Sequence, residues 1–236
     1  MVDQQIYSAD DLISLREMRV YNRFIARLFA GALPKHATDG AQRVLDFGAG
    51  IGTVTGLFAA ETGIKPLALD ADATHLNMLR ADGFTAVARL DEVQDGTLDY
   101  VFSSNVLEHI ADDRAILAEL HRKLKPGGAI ALYVPAFMSL WTRLDDHVGH
   151  VRRYTQADLA EKLTAAGFAV ESHRYCDSLG YVGTRLFRRY ITVAGDINPR
   201  TLRLLDRFLF PLSRAADLLF ARRFGKNIFI VARRGP

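Results

Sequence analysis

The sequence predicts an α/β fold built on a mostly parallel sheet with helices on both faces. Three observations carry this expectation. Strand-sized apolar runs alternate with helical patterns from Arg43 onward, which is the signature of βαβ units. The first run, Val44-Leu45-Asp46-Phe47, feeds directly into a glycine turn, Gly48-Ala49-Gly50-Ile51-Gly52. The composition, 49% hydrophobic and 24% charged over 236 residues, suits a chain with a sizeable core and argues against disorder.

Taken in order, residues 10–33 pattern as one helical segment ending before Pro34, within an N-terminal helical region spanning 8–33. Residues 44–47 read as a buried strand, 53–61 as a helix, 65–70 as the second strand and 73–81 as its helix. A short third strand is expected over 84–88 and a stronger fourth over 98–103. Ile116, Leu117 and Leu120 give 112–124 a helical spacing, and Lys125-Pro126-Gly127-Gly128 ends that helix and turns into a fifth strand over 129–134. Thr155 with Asp158 opens a helix that Gly167 stops. Two further strands, 168–175 and 227–233, flank a largely helical insertion over 178–226. With no internal repeat or flexible linker, 1–236 reads as a single domain.

A strand running into Gly-x-Gly-x-Gly places main chain where a ligand can approach closely. A dinucleotide fold wants a third glycine three residues beyond the second, and Thr53 stands there. Asp46 ends the strand with a carboxylate that would attract an ammonium group and repel a pyrophosphate. Asp70, twenty residues past Gly50, is spaced to bind ribose hydroxyls, with Ala71 beside it. Asp91 follows the third strand, where it could accept from an adenine amino group. S-Adenosylmethionine, with an ammonium and no phosphate, fits these acids better than NAD or FAD.

The run 44–53 resembles motif I of class I S-adenosylmethionine-dependent methyltransferases; Leu98 to Ile110 is similar to their fourth-strand motif, and Lys125-Pro126-Gly127-Gly128 to the turn before their fifth strand. The likeness covers about residues 40–175. It implies a Rossmann-like seven-stranded sheet whose last strand runs antiparallel between the fifth and sixth. It also implies that Asp46, Gly48, Ala49, Gly50 and Gly52 face the methionine part of the cofactor. Asp70 would hold the ribose, Asp91 the adenine, and Asn105 and Val106 would lie alongside. Tyr21 occupies a position where related enzymes close the pocket.

Methyl transfer needs an aligned acceptor and, for a hydroxyl or protonated amine, a base. His109, beside Glu108, is either such a base or an anchor for its loop. The stretch from Trp141 to Tyr154 is richer, with Asp145, Asp146, His147, His150, Arg152, Arg153 and Tyr154, and resembles a bacterial methyltransferase subgroup carrying Asp…Gly-His-x-Arg-Arg-Tyr, often associated with cell-envelope glycan or lipid pathways. One reading makes His150 or His147 the base, with Tyr154 a further candidate and Trp141, Arg152 and Arg153 binding an anionic acceptor. The other pairs the arginines with local acids and packs Tyr154 at a helix start. No metal is expected, since these histidines and Asp145 lack a clear ligand spacing.

The net charge of +3 hides a division. Residues 1–184 carry 18 Lys and Arg against 24 Asp and Glu, whereas 185–236 carry 12 against 3. Leu202, Leu205, Leu209, Leu212, Ala216, Leu219 and Phe220 recur at helical spacing there, interrupted at Pro211, with Arg203, Arg207 and Arg214 on another side. The favoured expectation is that this stripe buries on its own domain; the alternative is a membrane surface or a lipid-linked acceptor. Nucleic acid is disfavoured because aromatic platforms are not interleaved with the basic residues. A lone cysteine, Cys176, no signal-like start and no membrane-spanning run lead to an expected cytoplasmic location, with peripheral contact at the inner membrane face as an option.

Overall fold

The computed structural model describes residues 9–35, 43–187 and 199–235. Among the described residues seven strands form one sheet: β1 (Val44–Phe47), β2 (Leu67–Leu69), β3 (Ala86–Val87), β4 (Leu98–Ser104), β5 (Leu124–Pro135), β6 (Phe168–Cys176) and β7 (Asn227–Arg234). Their spatial order is β3-β2-β1-β4-β5-β7-β6, with β7 antiparallel to both neighbours and the other pairs parallel. The expected seven-stranded sheet and its antiparallel last strand are therefore present.

Both faces of the sheet are covered, so its central strands are buried throughout; β1 has no exposed position. On one face Leu45, Val101, Ile130 and Leu132 meet α5 (Asp113–Lys123) and α7 (Gln156–Ala165) through Leu117, Leu120, Leu159 and Leu163. On the other, Val44, Tyr100, Phe102 and Tyr133 meet α2 (Arg19–Gly31) and α3 (Thr53–Thr62) through Ile25, Phe29 and Phe58. Phe58 stacks on Phe102 with centroids 4.5 Å apart. The Tyr100 hydroxyl donates to the carbonyl of Phe29 at 2.9 Å, which satisfies a phenol inside this layer.

Three expected boundaries shift. The segment expected as one N-terminal helix is two, α1 (Ala9–Arg16) and α2. The break at Glu17 and Met18 is stabilised from both sides: Asn22 Nδ2 donates to the Leu15 carbonyl at 3.0 Å, and Asp206 accepts from the Val20 and Tyr21 amides, each at 2.8 Å. Second, β5 starts at Leu124 rather than after the glycines, because Leu124 already pairs with Leu98. Lys125 to Gly128 bulge from the ladder before Ala129 resumes it opposite Tyr100, and the bulge needs the positive φ of Gly127 (76°). Third, β2 and β3 are shorter than expected.

The basic insertion comprises α8 (Ser178–Phe187), α9 (Pro199–Leu204), a π-helical turn over Leu205–Leu209 and α10 (Phe210–Phe220); residues 188–198 lie outside the described set. Pro211 does not stop a helix but sits in the first turn of α10, where its missing N–H costs nothing. The expectation that the leucine stripe buries on the domain is overturned. Leu212, Leu218 and Leu219 are 61%, 86% and 77% exposed, and Leu204, Leu205, Phe208 and Leu209 are exposed as well. The face turned inward is Asp206, Phe210, Ser213 and Asp217, itself at helical spacing. The physical reason is helix capping. Asp206 satisfies the start of α2, while Asp217 accepts from the Asp177 and Ser178 amides (3.0 and 2.8 Å) at the start of α8. Ser213 accepts from the Leu179 amide at 3.0 Å.

Asp206→Ala should therefore destabilise the protein by about 1–2 kcal/mol, the usual value of an N-cap. A lowered thermal midpoint in circular dichroism checks this, with Asp206→Asn also lowered because its amide nitrogen cannot accept one of the two bonds; an unchanged midpoint for the alanine variant refutes it.

Candidate cofactor and acceptor site

Strand order reverses between β1 and β4, since the chain leaves β1 toward β2 and leaves β4 toward β5. Such a switch point opens a crevice at the carboxyl ends of the strands. A cavity of about 510 Å³ lies there. The glycine turn and the ends of β1, β2 and β4 form its floor, and Leu12 and Leu15 of α1 with Tyr21 and Asn22 of α2 cover it.

The turn is shaped by close packing. Gly48 has φ 78°, and a Cβ there would fall 2.3 Å from Val106 Cγ2, so the main chain and Val106 can meet only because the side chain is missing. The Gly48 and Ala49 amides donate to the Leu69 carbonyl, both at 2.8 Å, tying the turn to β2. Asn105, past the end of β4, also adopts positive φ (53°), a conformation asparagine tolerates better than most residues. Gly48, Ala49, Gly50, Asp46, Asp70, Ala71, Asn105, Val106 and Tyr21 all line the cavity; Gly52 instead begins α3 with φ 78° and faces a neighbouring groove.

Two carboxylates dominate the floor. Asp46 is 3% exposed and accepts from the Thr55 hydroxyl at 2.7 Å. Burial, reinforced by nearby Asp70, pushes its carboxyl up to about 7. Asp70 Oδ2 accepts from the Gly50 amide at 2.7 Å, and Oδ1 accepts from the Asp72 amide and pairs with His75 Nδ1, each at 3.0 Å. This pairing holds the His75 imidazole above its ordinary value. His75 and Asp72 are cavity residues that sequence reasoning missed, although Asp72 carries a legible signal as the N-cap of α4 (Ala73–Ala81).

Other expected site residues lie elsewhere. Asp91, on a one-turn helix, is exposed and paired with Arg89 rather than placed on the cavity wall. None of His109, His147, His150 or Tyr154 lines the cavity. Tyr154 is fully buried; its hydroxyl bonds with the Leu107 carbonyl at 3.1 Å and with Asp113 at 2.9 Å, which makes it a structural tyrosine. Arg152 pairs with Asp113 at 2.6 Å and Arg153 with Asp145 at 2.8 Å, so both arginines are spent on local acids. His147 is exposed on α6 (Arg143–His147), and Trp141 donates to Asp146 at 2.9 Å. His109 is 1% exposed, and burial lowers its imidazole to about 4. His150 Nδ1 meets Asp145 at 2.7 Å.

The raised Asp46 makes a testable statement. Its carboxyl binds a proton more tightly folded than unfolded, so stability falls as pH rises from about 4 to about 7 and the loss is complete above that range. The scale is on the order of 4 kcal/mol for a group this buried. Asp46→Asn should raise the thermal midpoint of the ligand-free protein near pH 8 and have little effect near pH 4. A variant less stable than the parent near pH 8 would contradict the burial cost.

Comparisons with known proteins agree with this geometry. A family model described as a methyltransferase domain matches residues 14–173. Methyltransferase AacuQ of Aspergillus aculeatus is 31% identical over 159 residues, covering 60% of this chain and 50% of that protein. The chain spans half or less of the length of the curated relatives it matches. Geranyl diphosphate methyltransferase in complex with S-adenosylmethionine superposes with a TM-score of 0.61 at 14% identity, over 90% of this chain and 85% of that one. An S-adenosylmethionine-dependent methyltransferase from Mesorhizobium loti gives a TM-score of 0.56 at 20% identity, over 87% and 95%. The family match over residues 14–173, together with a strand order that has the antiparallel last strand expected of class I members, shows that the chain belongs to the class I methyltransferase-domain family.

Proposed function

We propose that the chain is an S-adenosylmethionine-dependent methyltransferase acting on an oxygen or nitrogen of a small-molecule or lipid- or glycan-linked acceptor. The observation that carries this reading is the acidic cavity floor, with buried Asp46 at one strand end and Asp70 at the next. An ammonium group beside Asp46 would restore its charge and offset its burial. Asp70 Oδ2 accepts one protein hydrogen bond and retains a lone pair for a ribose hydroxyl. A pyrophosphate would face Asp46, Asp70 and Asp72 together. When bound, the cofactor supplies a methyl group activated by its positive sulfur; the chain's residues hold it, cover it with α1 and α2, and align an acceptor at the carboxyl ends of the strands.

Relatives support an oxygen or nitrogen acceptor. The Maricaulis maris match is a ubiquinone biosynthesis O-methyltransferase, and the Caenorhabditis elegans match is a phosphoethanolamine N-methyltransferase. The lipid-linked part of the reading rests on the insertion. Its outward leucines and phenylalanines, flanked by exposed Arg203, Arg207, Arg222 and Arg223, suit an anionic membrane surface. Among the described residues no helix is long and apolar enough to cross a membrane. An open groove beside the cavity, shared through Arg16, Asn22 and Thr53, adds Arg19, Arg23 and Arg214 for an anionic headgroup.

Titration calorimetry should detect S-adenosylmethionine but not NAD, and Asp70→Ala should weaken binding tenfold or more, about 1.4 kcal/mol; NAD binding alone would overturn the reading. Labelled cofactor incubated with a lipid extract should transfer its methyl group. Binding without any transfer would favour a non-catalytic scaffold. The full chain should also sediment with vesicles containing anionic lipid, and a Leu218→Asp/Leu219→Asp variant should not. Absence of vesicle binding, or a dimer that hides this face, removes the membrane part.

A further inference from the structure

The structure assigns a divalent metal site to Glu108, His109 and His150. One carboxylate oxygen and one ring nitrogen from each histidine lie within 4.8 Å of one another. Ligand atoms around a tetrahedral zinc ion lie about 3.4 Å apart, so side-chain rotations that close the set by about an ångström bring it to bonding distance.

Three independent features favour a cation here. Glu108 is 0% exposed, and neither carboxylate oxygen has a hydrogen-bonding partner from another residue. A buried carboxylate in that state costs several kcal/mol unless a cation or proton answers it. Next, His150 is already set up as a ligand. Its Nδ1 faces the Asp145 carboxylate at 2.7 Å, which places a proton on Nδ1 and leaves Nε2, 3.7 Å from Glu108 Oε1, as the nitrogen a metal would take. A carboxylate behind a histidine is the usual outer support of a metal ligand. Asp145 is itself held by the Thr142 amide at 2.8 Å, by the Thr142 hydroxyl at 2.9 Å and by two Arg153 nitrogens at 2.8 and 3.0 Å. Finally, His109 lies against the Val148–Gly149 backbone, which acts on its ring as a hydrogen-bond acceptor, and meets the His150 ring at 4.6 Å.

Two imidazoles and one carboxylate suit a first-row ion of zinc type better than magnesium, and three protein ligands leave a coordination position open. The neighbours of the ligand pair, Val106 and Ile110, line the cofactor cavity. A metal at this position would sit behind the cavity wall and brace the segment that carries Val106 and Ile110. Binding of the ion does not depend on the methyltransferase reading.

Purified full-length protein, stripped with chelator and titrated with Zn²⁺ near pH 7.5, should bind one ion per chain, and Co²⁺ should give the visible bands of a nitrogen- and oxygen-ligated site. His150→Ala and Glu108→Gln should abolish both signals, while His173→Ala, at an exposed strand position, should not. Asp145→Asn, which keeps all three ligands, should weaken affinity about 10–100-fold. Should the ligand variants fail to fold, loss of the Zn²⁺-induced rise in thermal midpoint in Asp145→Asn still tests the site. No stoichiometric binding of Zn²⁺ or Co²⁺, or binding unchanged in His150→Ala, overturns the proposal. S-Adenosylmethionine calorimetry on the stripped protein separates that outcome from failure of the cofactor reading.

Discussion

Asp46 sits on the central strand β1, buried on both faces of the sheet, and within the protein the Thr55 hydroxyl is its hydrogen-bonding partner. A carboxylate at this position is destabilising for the empty protein and becomes favourable when a cation arrives. The rest of the carboxyl edge is arranged around that constraint. The Ser103 hydroxyl donates to the Phe47 carbonyl at 2.7 Å and keeps β4 against β1; the Gly48–Val106 contact fixes the turn; residues of α1 and α2 line the cavity. On the proposed function, stability given up at this residue is recovered when the cofactor's ammonium binds.

A second carboxylate device organises the periphery. Asp206 and Asp217 lie on one face of the insertion and cap helices far away in sequence. Because that face must point inward, the leucines on the other sides of the same helices are forced outward. The insertion thus contributes little apolar burial and instead sets the start of α2, the helix that carries Tyr21 and Asn22 over the cavity. Its outer surface carries exposed leucines and phenylalanines, with exposed Arg203, Arg207, Arg222 and Arg223 on the same insertion.

The segment from Trp141 to Tyr154 is a pair of anchored networks rather than a display of reactive groups. Asp113 gathers Arg152, Lys162 and Tyr154, fastening the loop to α5 and α7. Asp145 gathers Thr142, Arg153 and His150. The arginine and tyrosine of the Gly-His-x-Arg-Arg-Tyr run therefore act as supports, and what they support is the orientation of His150 toward Glu108.

Much of the architecture was legible because it rests on local physics. The alternation of strand and helix, the helix start at Thr155, and the glycine turn with Asp46 before it and Asp70 after β2 are read from spacing and residue type. The break between α1 and α2, the inward face of the insertion and the meeting of Glu108 with His150 were not legible, since each depends on partners 34 to 186 residues away in the chain. Asp91 failed for a local reason: its place after the third strand suggested a ligand contact, and Arg89, two residues away, pairs with it on the surface. By itself the sequence determined the fold class and the acids around the cofactor cavity, because hydrophobic periodicity and a strand-to-turn junction act over a few residues. Only the tertiary structure decided which polar groups are satisfied by the protein and which remain for a ligand, because hydrogen bonding and burial are settled between distant segments.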